Sequence, residues 1–261
     1  MIDQVDVVVL AGNGGLGGFP HKALLPLGDK VMVDHVVTAL KNCPEVRKIV
    51  LVGPREDLEK FYTPEGAGGG RFFFAEAGES LLDSFRSGVR TLEETGEFQW
   101  VLACTGDIPF LTTEALTDFF ERCRSLEADF YYPVIPKEKA EEKFPGVRRT
   151  YARLQDGTFT GGNIFLIKRN ALEHCLPIAQ EVVSLRKKPV ALARLVGIDI
   201  FWKYLLGKLK ISDVEKRAYE LLGCRGRAII TPYPEIGVDI DKESDLELAN
   251  RLFSGNRRKE G

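Results

Sequence analysis

The sequence predicts an α/β fold of three layers, a mainly parallel sheet with helices on both faces. Two observations carry this. Through the first half, short apolar runs rich in Val and Ile alternate with stretches of helical periodicity, and turn residues bound each run. The chain, at 261 residues, is long enough to bury a full core as one large domain carrying an insertion.

The elements follow in order. Val5–Leu10 and residues 48–52 read as buried parallel strands, with a helix over 33–40 between them. Residues 72–74 form a third strand candidate, followed by a helix over 80–92. A fourth strand over 100–104 precedes a helix over 113–125, with Thr112 or Thr113 as its N-cap. Strands separated by crossover helices demand a mainly parallel sheet. The second half changes rhythm. Residues 129–135 and 159–167 read as strands with a polar loop between them. Segments 169–183, 190–207 and 212–222 then make a helical block. Strand character returns at 227–230 and 238–240. A final helix over 244–253 is capped by Ser244 with Glu247 as its capping-box partner. The domain reading is one unit over 1–253 with a helical insertion at about 184–226, and a disordered tail over 254–261.

Composition excludes several classes. Hydrophobic residues make up 44% and charged residues 28%, with a net charge of −2, which gives no field for gripping a polynucleotide. The start, Met1-Ile2-Asp3-Gln4, lacks the basic region of a signal peptide, and no apolar run reaches the length of a membrane span. Five dispersed cysteines without a C-x-x-C pair read as reduced thiols of a cytoplasmic protein. Three scattered histidines argue against a histidine metal site.

The stretch VDVVVLAGNGGLGGFPHKALLPLG presents Gly12, Gly14 and Gly17 at G-x-G-x-x-G spacing. A dinucleotide fingerprint needs a helix to start inside that motif, and here Gly18, Pro20 and Pro26 follow instead. The first helix comes too late, so an oxidoreductase reading fails on context. A glycine-rich loop ending on Lys22 suits triphosphate oxygens, because glycine lets backbone N–H groups approach and the lysine adds charge. It is not a Walker A loop, since Lys22 precedes Ala23.

Asp107 follows the strand in ACTGDIPFLT, at the carboxyl end where open α/β sheets bind ligands. A carboxylate there is a natural Mg²⁺ ligand. Either Asp239 or Asp241, at period two in GVDIDKESDLELA, is placed to complete the metal site, while Asp245 suits the helix's first turn.

Taken together, VVVLAGNGGLGG, HKALLPLGDKVMVDHVVTAL, GESLLDSFRSGV, ACTGDIPFLT, GGNIFLI and GVDIDKESDLELA resemble the MobA-like nucleotidyltransferases in order and spacing. The likeness spans the chain apart from about 184–226. It implies a Rossmann-like domain of glycosyltransferase-A type, in which an acceptor phosphate attacks the α-phosphorus of an NTP and pyrophosphate leaves. It further implies that Leu10, Ala11 and Gly12 meet base and ribose, and that Asn13, Gly14, Gly15, Gly17 and Gly18 meet the phosphates. Lys22 would offset phosphate charge, Gly78, Ser84 and Gly88 would line the base side, and Asp107 with Asp239 or Asp241 would hold Mg²⁺. The implied partners are an NTP and a phosphorylated small-molecule acceptor.

The chain departs from that family where an arginine usually follows the glycine motif, a position taken by Gly17 or Gly18. Arg148, Arg149, Arg153 and the run Arg186-Lys187-Lys188 are candidate replacements, and a nucleotide-binding module without turnover is the alternative reading. The helical block, with Trp202 and Tyr204, reads first as a subdomain packed on the sheet, and second as an acceptor lid or a surface for a partner or lipid-linked acceptor.

Overall fold

The computed structural model describes residues 2–12, 14–62, 70–185 and 189–256. Strands β1 (Val5–Leu10), β4 (Val46–Gly53), β5 (Phe72–Glu76) and β6 (Trp100–Thr105) form the parallel half of the main sheet, in the order β5-β4-β1-β6. Their connections are α1 (Met32–Asn42), α2 (Arg55–Phe61) and α3 (Leu81–Glu94), as the alternating pattern demands. A two-stranded hairpin, β2 (Pro26–Leu27) with β3 (Lys30–Val31), turns at Gly28 just before α1. Ser80 caps α3 by accepting from the Asp83 amide, and Thr112 caps α4 (Thr113–Arg124) by accepting from Ala115.

Beyond β6 the direction reverses. β7 (Phe130–Pro136), β8 (Ala152–Leu154), β9 (Gly157–Gly161) and β10 (Ile164–Lys168) extend the sheet as β6-β10-β7-β9-β8, with antiparallel neighbours throughout. β11 (Gly226–Ile230) returns from the helical block to pair with β7 in parallel. The sheet is thus mostly parallel on one side and mixed on the other.

Side-chain alternation builds two cores. Val5, Val7, Val9, Ile49, Leu51, Leu102 and Cys104 face α1 and α4, where Val36, Leu40, Leu116 and Phe119 meet them. Val8, Val50, Val52 and Val101 face α3 and α6 (Leu172–Leu185). Each such buried Val or Leu contributes about 1.5–3 kcal/mol relative to exposure.

Gly88 lies in this second interface. A Cβ there would sit 2.5 Å from Val8 Cγ1 and 2.9 Å from Val52 Cγ2. Both neighbours are β-branched and buried on central strands, so neither gives way. Gly88→Val is expected to cost about 2 kcal/mol, despite valine's better helix propensity, read as a fall in the thermal midpoint of several degrees. An unchanged midpoint would show that α3 shifts freely on the sheet.

Several expectations need correcting. The polar loop before β8 contains α5 (Lys137–Lys143). The run expected as one strand over 159–167 is two, β9 and β10, broken at Gly162-Asn163, where Gly162 N donates to Pro133 O instead. Residues 190–207 split at Gly197, φ 111°, into α7 (Pro189–Val196) and α8 (Ile198–Leu205), ahead of α9 (Ile211–Leu222). Residues 238–240 join no strand; they follow a 3-10 turn at Pro234–Gly237, and Ile240 N bonds the Asp107 carbonyl at 3.0 Å. The last helix, α10, runs Glu243–Asn256, so residues 254–256 of the expected tail are helical, and 257–261 lie outside the described residues. Ser244 is inside that helix. Its start is instead capped by Asp245, whose carboxylate accepts from the Asp241 and Lys242 amides.

The five cysteines are free and buried. Among the described residues, no helix is long and apolar enough to cross a membrane.

Candidate active site

The glycine loop, the β6 turn and the segment before α10 meet at the carboxyl ends of β1 and β6. Ala11 N donates to Val52 O and Gly106 N to Leu10 O, at 2.8 and 3.0 Å, which ties the first residues of both loops to the sheet. They enclose a cleft of about 380 Å³. Leu10, Ala11, Gly12, Gly14 and Lys22 line one wall, Gly78 to Leu81 and Ser84 the other, and Thr105, Gly106 and Asp107 the floor.

The glycines of the loop divide into two kinds. Gly12 and Gly14 line the cleft. Gly17 and Gly18, φ 59° and 81°, form the centre of a tight turn across which Leu16 and Phe19 exchange backbone hydrogen bonds of 3.1 and 3.0 Å. Positive φ at both central residues is what such a two-residue turn needs. Gly15 passes so close to that turn that a Cβ would meet Phe19 O at 2.8 Å. Gly15, Gly17 and Gly18 shape this hairpin, and they are not among the residues that line the cleft. Asn13 lies outside the described residues. Lys22 N donates to Gly14 O at 2.6 Å, which closes the loop and brings the Lys22 side chain back over the cleft.

On the opposite wall, Ser84 Oγ accepts from Gly78 N at 3.0 Å. Gly78 is required there, since a Cβ would lie 2.5 Å from Asp83 Cβ. Gly88, expected beside them, is one helical turn too deep and packs on the sheet instead.

The charged centre is compact. Lys22 Nζ stands 2.7 Å from Asp107 Oδ2 and 2.7 Å from Asp241 Oδ1. Arg149 Nη2 lies 3.0 Å from Asp239 Oδ1. Asp107, Asp239 and Asp241 each offer an oxygen within 4.8 Å of the others. Ile240, buried between the two later aspartates, anchors the segment while both carboxylates reach the centre. Burial alone would lower the Lys22 pKa, but Asp107 and Asp241 outweigh it and hold the ammonium above its ordinary value. Asp239 is raised by burial against the pull of Arg149, with Asp241 and Asp107 adding repulsion. Asp241 is lowered, chiefly by the hydrogen bond from Lys22.

Three buried polar atoms here lack partners among the described residues: Asp107 Oδ1, Thr105 Oγ1 and Asn163 Nδ2. Thr105 and Asn163 are neighbours across β6 and the start of β10, with Thr105 N donating to Asn163 O at 3.2 Å. The sequence contains both residues, but nothing in either strand marks them, because they are 58 positions apart. Leaving such atoms unpaired costs about 1–3 kcal/mol each, so Thr105→Val is expected to raise the ligand-free thermal midpoint by about 2–4 °C. Differential scanning fluorimetry checks this; a fall would mean the hydroxyl is bonded within the fold.

Of the candidate replacements for the family's loop arginine, Arg149 is at the centre, Arg148 and Arg153 are exposed, and Arg186 to Lys188 lie outside the described residues.

A family model for the MobA-like NTP transferase domain matches residues 7–193. A probable molybdenum cofactor guanylyltransferase from Methanosarcina acetivorans is 27% identical over 233 residues, 83% of this chain and 91% of its own. A 2-C-methyl-D-erythritol 4-phosphate cytidylyltransferase from Bacteroides thetaiotaomicron is 31% identical over 134 residues, 50% of this chain and 58% of its own. The structure of a hypothetical transferase from Thermus thermophilus superposes with a TM-score of 0.78 at 40% identity, covering 93% of this chain and 99% of that one. With a glycine-rich loop, a lysine and an aspartate gathered at the carboxyl edge of such a sheet, the chain belongs to the MobA-like NTP transferase domain family and is a nucleotidyltransferase.

Proposed function

We propose that the protein transfers an NMP group from an NTP to a phosphorylated small-molecule acceptor, releasing pyrophosphate, with Mg²⁺ held by Asp107 and by Asp239 or Asp241. The observation that carries this reading is the convergence of three carboxylates and Lys22 at the floor of a glycine-walled cleft.

The donor set fits the metal. All three groups are hard oxygen donors, as Mg²⁺ prefers, and Asp107 Oδ1 is a buried acceptor that waits for a cation or a donor. When bound, the ion supplies positive charge to phosphate oxygens as negative charge builds. The chain's own residues do the rest. Gly14 leaves backbone room for phosphates, and Leu10, Ala11, Gly12, Gly78 and Ser84 enclose base and ribose. Lys22, kept protonated by its carboxylate partners Asp107 and Asp241, stands at the cleft floor where its ammonium would offset phosphate charge. Catalysis then rests on positioning and charge neutralisation, and no covalent protein intermediate is required.

The proposed domain is a single unit that runs through the end of α10 at Asn256 and carries α7 to α9 as an insertion, and the free buried cysteines support a cytoplasmic setting. The test is thermal stability against ATP, GTP, CTP, UTP and NAD, each with and without Mg²⁺, followed by pyrophosphate release with phosphorylated acceptors. One triphosphate is expected to stabilise in a Mg²⁺-dependent way, by about 2.7 kcal/mol at a hundred times its Kd. Stabilisation by NAD alone would sink the reading.

A further inference from the structure

Helix α8 has its apolar stripe on the wrong side. In a surface helix the residues at i, i+3, i+4 and i+7 face the core. Here Ile198, Phe201, Trp202 and Leu205 hold those positions, and all four are exposed, with Leu206 continuing the face; Trp202 retains 57% and Leu206 65% of their accessible surface. Ile200, on the opposite side, is the buried residue that ties the helix to the protein. Scattered exposed apolar residues are ordinary, but five on one face of two helical turns are not.

The flanking charges indicate what covers this face. After Gly207, φ 65°, the chain folds back as Lys208 N and Leu209 N both donate to Lys203 O. Leu209 is buried at 5% exposure, so its neighbours Lys208 and Lys210 turn outward just past the C-terminal end of α8, where the Asp156 carboxylate accepts from Ile211 N. Both are exposed, and neither joins an ion pair among the described residues. Lys203 is taken by Asp213, and the acidic Asp199 sits at the other end of the helix. Lysine is depleted from protein interfaces, and in a two-fold pairing of copies these lysines would add like charge to the contact. An apolar face with Trp and Leu, rimmed by lysines, instead matches the boundary between acyl chains and anionic headgroups.

We propose that the outward face of α8, with Lys208 and Lys210, docks the protein reversibly on an anionic lipid surface. The inference is independent of the reaction proposed for the cleft.

Co-sedimentation of the full chain with phosphatidylcholine vesicles, with and without phosphatidylglycerol, tests it. The protein is expected to pellet only with the anionic vesicles and to be released by high salt. Trp202 emission should shift to the blue on binding, a shift absent in Trp202→Phe because the other tryptophan, Trp100, is buried. Removing both lysines should cut the partition coefficient by about thirtyfold, at about 1 kcal/mol each. Leu205→Glu should abolish binding, and because the position is exposed the far-UV circular dichroism should be unchanged. Failure to bind anionic vesicles overturns the proposal. So does a concentration-dependent dimer that Leu205→Glu dissociates, which would make the face a contact between copies.

Discussion

Asp107→Ala is expected to lower pyrophosphate release about a thousandfold or more while leaving the fold intact. Among the described residues, Asp107 is the one carboxylate that combines the end of a central strand, an ion pair to Lys22 and a buried oxygen without a partner. Removing a preorganised charge group from a water-poor site typically costs two to three decades in rate, about 3–4 kcal/mol. Loss of a carboxylate proposed to hold Mg²⁺ would add to that. Stability should respond in the other direction. Asp107 is one of the charges that raise Asp239, so its removal relieves repulsion, and Lys22 keeps Asp241 as a partner. The ligand-free thermal midpoint should therefore hold or rise. Steady-state pyrophosphate release and calorimetry check the two halves. Retention of a tenth of the wild-type rate would remove Asp107 from the chemistry.

Lys22→Met should cost about a hundredfold to a thousandfold in kcat, again from the loss of one charge aimed at the phosphates. Its diagnostic signature lies elsewhere. The ammonium occupies the space between Asp107 and Asp241, where it would compete with the proposed Mg²⁺ for the same oxygens. Without it, three carboxylates face one another with Arg149 as the remaining close cation among the described residues. The variant should be less stable than wild type in the absence of metal, and Mg²⁺ alone should stabilise it more than it stabilises wild type. Thermal shifts against Mg²⁺ without nucleotide read this directly. Equal Mg²⁺ responses would mean that the carboxylates are not the metal's ligands. Arginine at this position should not rescue turnover, because its larger planar head does not reproduce the single ammonium held 2.7 Å from both Asp107 and Asp241.

Much of the fold was legible in the order of residues. Val5–Leu10 is a continuous apolar run, and it is the central strand because only a strand buried on both faces tolerates such a run. The helices α1, α3 and α4 carry apolar residues at helical spacing, and two have side-chain caps where Ser80 and Thr112 stand. Lys22 and Asp107 could be named because a glycine loop and a strand's carboxyl end are local features with a chemical meaning. Where the structure places residues differently from the sequence reading, the cause is also shared. Gly17 and Gly18 match a phosphate-binding spacing, yet their positive φ angles serve a hairpin turn, and spacing alone does not distinguish a cradle from a turn. Residues 238–240 alternate like a strand, but they join none, and Ile240 N bonds the Asp107 carbonyl instead.

The sequence by itself determined the alternating elements, the buried strands, the loop that ends on Lys22 and the place of Asp107 just past a strand, since each depends on neighbours within a few positions. Only the tertiary structure decided the rest. It brought Asp239 and Asp241 to Asp107 and Arg149 to Asp239, and it left the polar atoms of Thr105 and Asn163 without partners beside them. It also turned the apolar face of α8 outward while Ile200 took the inward place. These outcomes depend on contacts between residues far apart in the chain. Helical periodicity shows that a face is apolar; which way it points is set by what packs on the other side.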